Sequence, residues 1–146
     1  MTRRITVRGI IYKNGKLFAQ KHIEGNGESD FWSTPGGGLD DGESLRDGLR
    51  RELIEETGIA PEIGRLLYIQ QYGGSDREFL EFFYLITNVD DYDVEIDLAS
   101  TTHGHIEIAQ HGFIDPKKEV ILPDFLQEAD IEQDIASGEV KEFTYL

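Results

Sequence analysis

Residues 36–59 read GGGLDDGESLRDGLRRELIEETGI, and this stretch decides the fold. Leu45, Leu49 and Leu53 recur every four residues, the spacing of one helix face. Ser44 with Asp47 three positions on resembles a capping box, with Asp in place of the usual Glu or Gln. Gly58 stands where a helix ends in the left-handed conformation. The pattern predicts one helix over about residues 44 to 57. Just before it, Gly36, Gly37 and Gly38 read as a permissive loop that follows a turn at Pro35.

The helix carries an unusual charge pattern. At about 100° per residue, Glu52, Glu55 and Glu56 fall within an arc of roughly 100°. Like charges at these spacings destabilise a bare helix by a few tenths of a kcal/mol per pair, so a cation is expected among them. Arg51 reaches Glu55 at i, i+4 but cannot neutralise all three. Hard divalent cations such as Mg²⁺ take oxygen ligands and keep waters that bridge to phosphates. Taken alone, the same glutamates read more readily as a solvated acidic face, since charge runs on helices are usually just solvated.

The surroundings shift that balance. The sequence resembles the Nudix (MutT-like) hydrolase family, whose signature is G-x5-E-x7-R-E-U-x-E-E-x-G-U, with U a bulky aliphatic residue. Gly37, Glu43, Arg51, Glu52, Leu53, Glu55, Glu56, Gly58 and Ile59 fill every specified position of a box spanning residues 37–59. A chance match at a given start is on the order of 10⁻⁸ from ordinary residue frequencies, which sets the solvated-face reading aside.

The resemblance implies a single Nudix domain over residues 1–146, of the α/β class, an α/β/α sandwich with a mixed β-sheet. It implies hydrolysis of a nucleoside diphosphate linked to another moiety X, with Mg²⁺ or Mn²⁺ as cofactor. Carried over by position, Glu52, Glu55 and Glu56 are the implied metal ligands and Arg51 orients a carboxylate by ion pairing. Glu43 takes a supporting role near the metal. Gly37 and Gly38 let the backbone approach substrate phosphates. The general base is open between a box glutamate and a downstream one, for which Glu107 is the candidate. Many members of the family pair as homodimers.

Several branches of the family fit poorly. Isopentenyl-diphosphate isomerase shares this fold and relies on a cysteine, and this chain has none. Many ADP-ribose hydrolases of the family carry a proline shortly after the box, and none lies between Pro61 and Pro116. The extra motifs of the NADH and coenzyme A branches are missing too. A sensor domain that keeps the fold without turnover is the alternative from another class. Such domains usually lose a box glutamate, and none is lost here.

Composition limits the partners. The 146 residues include 14 Lys and Arg against 29 Asp and Glu, a formal net charge of −15. So acidic a surface repels a polyanion, which argues against polymeric nucleic acid. A small phosphorylated ligand stays open, because a divalent cation held by carboxylates reverses the local field. No apolar run reaches transmembrane length, so no membrane contact is expected. The lack of cysteine fits a reducing cytoplasm.

The remaining elements follow from pattern. RITVRGIIY (4–12) and KLFAQKHI (16–23) flank Asn14-Gly15 and predict an opening hairpin. RLLYIQQY (65–72) and EFLEFFYLIT (78–87) predict a second hairpin, and IEIAQHGFI (106–114) a further strand. The acidic stretch 88–105 reads as a long loop, and Pro123 starts a last helix that ends near Gly138. For substrate readout, Phe31, Trp32, Tyr72 and Phe79 are candidates to stack on a base, with core packing the competing role. Arg77, in a turn, suits a terminal phosphate. His103 and His105 share a face if extended, although a Mg²⁺ site prefers oxygen.

Overall fold

The helix α1 (Leu45–Thr57) begins and ends as its sequence dictates. The Asp47 amide donates to the Ser44 hydroxyl at 3.1 Å, so Ser44 caps the first turn. Gly58, at φ 77°, takes the left-handed conformation and donates its N–H to the Ile54 carbonyl. Leu49 and Leu53 are fully buried. The structure, a computed structural model, describes residues 2–25, 27–101 and 107–145.

The strands are β1 (Thr2–Ile10), β2 (Tyr12–Lys13), β3 (Lys16–Glu24), β4 (Gly27–Glu28), β5 (Trp32–Ser33) and β6 (Gly36–Gly38) before the helix. After it come β7 (Ile63–Gly73), β8 (Arg77–Ile86), β9 (Ile108–Ile114), β10 (Ile121–Leu122) and β11 (Lys141–Tyr145). They build two sheets. One has the order β11-β7-β8-β1-β6, with β11–β7 and β8–β1 parallel and the other pairs antiparallel. The other has the order β10-β5-β3-β2, with β4 and β9 also paired to β3.

The opening hairpin is smaller than its sequence predicts. Asn14 and Gly15 do turn the chain at φ 50° and 81°, but only Tyr12 and Lys13 pair with Leu17 and Lys16. β1 commits one edge to β8 and the other to β6, so no edge remains for β3. The chain crosses between the sheets at Ile11, which is fully buried and accepts a hydrogen bond from the Phe18 amide.

Side-chain alternation along β1 and β8 gives the first sheet a core on each face. Val7, Tyr84 and Ile86 meet Leu49 and Leu53 of α1. Ile10 and Phe83 meet Phe125, Leu126 and Ile131, which lie on the short helices α2 (Phe125–Glu128) and α3 (Ile131–Ser137). This is the α/β/α layering that the family resemblance implies. The expected last helix is in two pieces because Ala129 is extended and Asp130 caps α3, accepting from the Gln133 amide. β11 escapes prediction, since KEFTY alternates too weakly and joins β7 without a local turn.

β7 and β8 form the second expected hairpin. In the acidic stretch, two short 3₁₀ turns occur at Val89–Tyr92 and Leu98–Ser100, and buried Tyr92 donates its hydroxyl to the Ile59 carbonyl. His103 and His105 lie outside the described residues. No helix among the described residues is long and apolar enough to cross a membrane.

His111 of β9 stacks on Phe18 with ring centroids 5.5 Å apart, and neither ring nitrogen has a hydrogen-bond partner. Burial, with His22 nearby, pushes its pKa down to about 4. The unfolded chain therefore binds a proton that the folded chain refuses, and this term is lost to stability as pH falls from about 6.5 toward 4. His111→Phe keeps the stack and removes the proton. Denaturant titrations should show wild type losing on the order of 2 kcal/mol more than the variant between pH 7 and 4.5.

Candidate active site

The glycine run is a strand where its sequence reads as a loop. β6 lies antiparallel to β1, with Gly38 opposite Thr6, Gly37 opposite Val7 and Gly36 opposite Arg8. Lack of a side chain is what this strand needs. A Cβ on Gly37 would sit 2.7 Å from the Glu52 carboxylate, and one on Gly38 would overlap the Arg4 guanidinium. Gly36, at φ 143°, would clash with the Val7 carbonyl if it carried one. The helix carboxylates can thus press directly onto main chain.

Glu56 shows how far this goes. It is only 4% exposed. Its Oε1 accepts the Gly36 amide at 2.8 Å and its Oε2 the Gln20 side-chain amide at 2.6 Å. Burial pushes its carboxyl pKa up to about 8, against the pull of the Gln20 hydrogen bond and the Arg8 charge. Burial also raises the pKa of Glu52, opposed by Arg51.

Arg51 is the hub of the exposed side of this group. Its Nε and Nη2 donate to the two oxygens of Glu43 at 2.7 and 2.9 Å, a bidentate pair. The same Nη2 donates to the Gly38 carbonyl at 3.1 Å, and Nη1 donates to Glu52 at 3.0 Å and Glu55 at 3.2 Å. The Arg51 hydrogen bonds hold the Glu43 carboxyl down to about 2. The i, i+4 pairing to Glu55 that the spacing predicts is present, but the stronger partner is Glu43, eight residues back.

Among the described residues no three His, Cys, Asp or Glu side chains already converge on a common metal position. The donor set nevertheless suits a hard cation. Three carboxylates share the face, two of them have raised pKa values from burial, and the Gln20 Oε1 beside Glu56 is buried without a hydrogen-bond partner.

The other predicted positions lie outside this cluster. Glu107 is exposed and immediately precedes β9, with its backbone beside the His22 ring. Arg77 opens β8, its guanidinium 6.0 Å from the Phe79 ring, in a cavity of about 420 Å³ that also holds Glu43. Trp32 is core. Phe31 and Tyr72 line a separate cavity of about 560 Å³, with Phe79 stacked behind Tyr72 at 4.8 Å.

That cavity contains residues the sequence reading missed. Glu81, 3% exposed, accepts hydrogen bonds from Thr6, Arg8 and Gln70 at 2.8, 3.0 and 3.0 Å. Arg8 also donates to the Thr34 carbonyl at 3.0 Å. The available signal was Arg4, Thr6 and Arg8 alternating with Ile5 and Val7, a period-two polar face on a strand otherwise read for its apolar residues.

A family model described as "NUDIX domain" matches residues 2–140. The chain belongs to the Nudix hydrolase family. An RNA pyrophosphohydrolase of Novosphingobium aromaticivorans is 26% identical over 133 residues, 80% of this chain and 78% of that protein. An ADP-ribose pyrophosphatase of Methanocaldococcus jannaschii is 34% identical over 74 residues, 51% of this chain and 42% of that protein. The solution structure of the E. coli ORF135 protein matches with a TM-score of 0.71 at 22% identity, covering 94% of this chain and 95% of that one, a likeness of fold. This Nudix hydrolase is thus an enzyme of the pyrophosphohydrolase family, whose members generally use divalent metal ions and act on nucleotides.

The Arg51 hub makes a direct prediction. In Arg51→Gln the Glu43 carboxyl should titrate back toward the ordinary glutamate value of about 4.3. Carboxyl-carbon NMR across pH 2 to 6 reads this shift, and an unchanged midpoint would deny Arg51 its role.

Proposed function

We propose that this Nudix hydrolase cleaves a nucleoside diphosphate linked to a second group X by attack of water at phosphorus, with Mg²⁺ or Mn²⁺ held by Glu52, Glu55 and Glu56. The observation that carries this reading is Glu56, a buried carboxylate with a raised pKa, bonded to Gly36 N and set on the helix face shared with Glu52. Stabilising the anion of such a group calls for a cation at short range. Once bound, a divalent ion would neutralise charge on the diphosphate oxygens and favour attack by water.

The chain's own residues do the rest. Arg51, tied to Glu43 and the Gly38 carbonyl, fixes Glu52 and Glu55 in place. Gly37 and Gly38, without side chains, let the Glu52 carboxylate and the Arg4 guanidinium sit against the main chain of β6, where both can face substrate phosphates. The cavity of Phe31, Tyr72, Gln70 and Arg8 offers an aromatic wall and polar groups for a nucleoside. The general base is a box glutamate or Glu107. The lack of cysteine fits work in the cytoplasm.

The purified protein should be incubated with Mg²⁺ and dNTPs, oxidised dGTP, ADP-ribose, dinucleoside polyphosphates, nucleotide sugars and 5′-triphosphorylated RNA, with products resolved by chromatography. Turnover of one class, abolished in Glu56→Gln, is the expected result and names X; no turnover of any class would overturn the hydrolase reading. In thermal melts, Mg²⁺ at a hundredfold excess over its Kd should stabilise wild type by about 2.7 kcal/mol and leave Glu56→Gln unmoved. If Glu107 is the base, Glu107→Gln should lower kcat by about a hundredfold, whereas a normal kcat returns that role to the box.

A further inference from the structure

Beside the glutamate face lies a second group of charges. The 420 Å³ cavity at the start of β1 is lined by Arg4, Arg77, Leu39, Asp40, Asp41 and Glu43, among others. Acidic residues outnumber basic ones two to one in this chain. Even so, among the described residues neither Arg4 nor Arg77 has a carboxylate partner. The cavity's own acids are taken elsewhere: Glu43 by two bonds from Arg51, and Asp40 by Arg51 Nε at 3.4 Å. Asp41 is the remaining carboxylate. Arg3, the third arginine of the lining, is paired with Glu78.

The strand register links this cavity to the one assigned to the nucleoside. Thr2 pairs with Arg77, Arg4 with Phe79 and Thr6 with Glu81, so Arg77, Phe79 and Glu81 share a sheet face with Arg4, Thr6 and Arg8. The Thr6 and Arg8 bonds to Glu81 confirm that face. It therefore runs from Arg8, in the larger cavity, to Arg4 and Arg77 in the smaller, a step of four residues or roughly 13 Å along β1. Flanking this path is β6, whose Gly38 has the Arg4 guanidinium where a side chain would be.

We infer that Arg4 and Arg77 form a subsite for a distal phosphate group of the substrate, so that X ends in a phosphate. Two guanidiniums with open donors bind such a group bidentately. Asp40 and Glu43 of the same lining are engaged by Arg51, so the donors of Arg4 and Arg77 are left for an incoming anion. The inference rests on the hydrolase reading for the direction of the substrate, with the nucleoside at Arg8 and Tyr72, the diphosphate at the box, and the distal phosphate at Arg4.

The test has a binding arm and a kinetic arm. The full chain is titrated with inorganic tripolyphosphate in EDTA, where the glutamate face contributes only repulsion. Amide NMR shifts at Gly38, Gly42 and Arg77 are expected, with Kd at least tenfold weaker in Arg4→Gln and Arg77→Gln and weakened in Gly38→Ala, whose new Cβ displaces Arg4. Circular dichroism checks that each variant folds. With Mg²⁺, both glutamine variants should raise KM for a nucleoside triphosphate at least tenfold with kcat within twofold. KM for a nucleotide sugar with an uncharged distal end should not change.

Equal loss on both substrate classes, absence of tripolyphosphate binding, or binding that neither variant weakens would overturn the subsite. So would tripolyphosphate that binds without competing with the nucleotide, which would mark a site for free inorganic anions. Tripolyphosphate binding that depends on Arg4, in a protein that turns over no nucleotide, would overturn the hydrolase reading and leave the anion site standing.

Discussion

The structure depends on the close approach of a carboxylate-bearing helix to a strand without side chains. Glu52 lies where a Cβ of Gly37 would be, and Glu56 is buried against the Gly36 amide. Neither contact survives an ordinary residue at those positions. The glycines are therefore required less for flexibility than for their lack of bulk, since β6 is a regular paired strand. Holding carboxylates in so dry a place is unfavourable by itself, which the raised Glu56 pKa expresses. Hydrophobic anchoring offsets the cost. Leu49 and Leu53, beside Glu56 on the buried side of the same helix, are fully buried and cluster with Val7 and Ile86.

Arg51 connects this strained interior to the surface. By spending its donors on Glu43, Glu52, Glu55 and the Gly38 carbonyl, it fixes the loop before the helix, the helix face and β6 to one another. A lysine could supply the charge but not the fork of donors that four partners demand. The same expenditure leaves the neighbouring Arg4 without a share of those carboxylates, so the charge balance around the box is set by one guanidinium's geometry.

The first sheet carries two different chemistries on its two faces at the end nearest the box. One face takes α1 with its glutamates. The other presents Arg4, Thr6 and Arg8 beside Arg77 and Glu81, leading into the aromatic cavity. β6, at the sheet edge, touches both. Polar residues on β1 are tolerated within a strand because Glu81 collects Thr6, Arg8 and Gln70 into one satisfied network.

The sequence by itself determined the elements whose signals are local. The cap at Ser44, the left-handed Gly58, the leucine spacing and the glutamate arc all act over three or four residues, and each is found where it reads. The same is true of the β7–β8 hairpin. Tertiary structure alone decided what depends on distant partners. That β1 leaves β3 for β8, that three glycines form a strand, and that KEFTY joins β7 follow from which edges and apolar faces meet, over separations of tens of residues. The Arg8–Glu81 and Gln20–Glu56 contacts likewise span 73 and 36 residues. Local periodicity encodes which side of an element faces inward. The partner across the interface is chosen by burial and hydrogen-bond satisfaction of the whole chain, which no short window of sequence records.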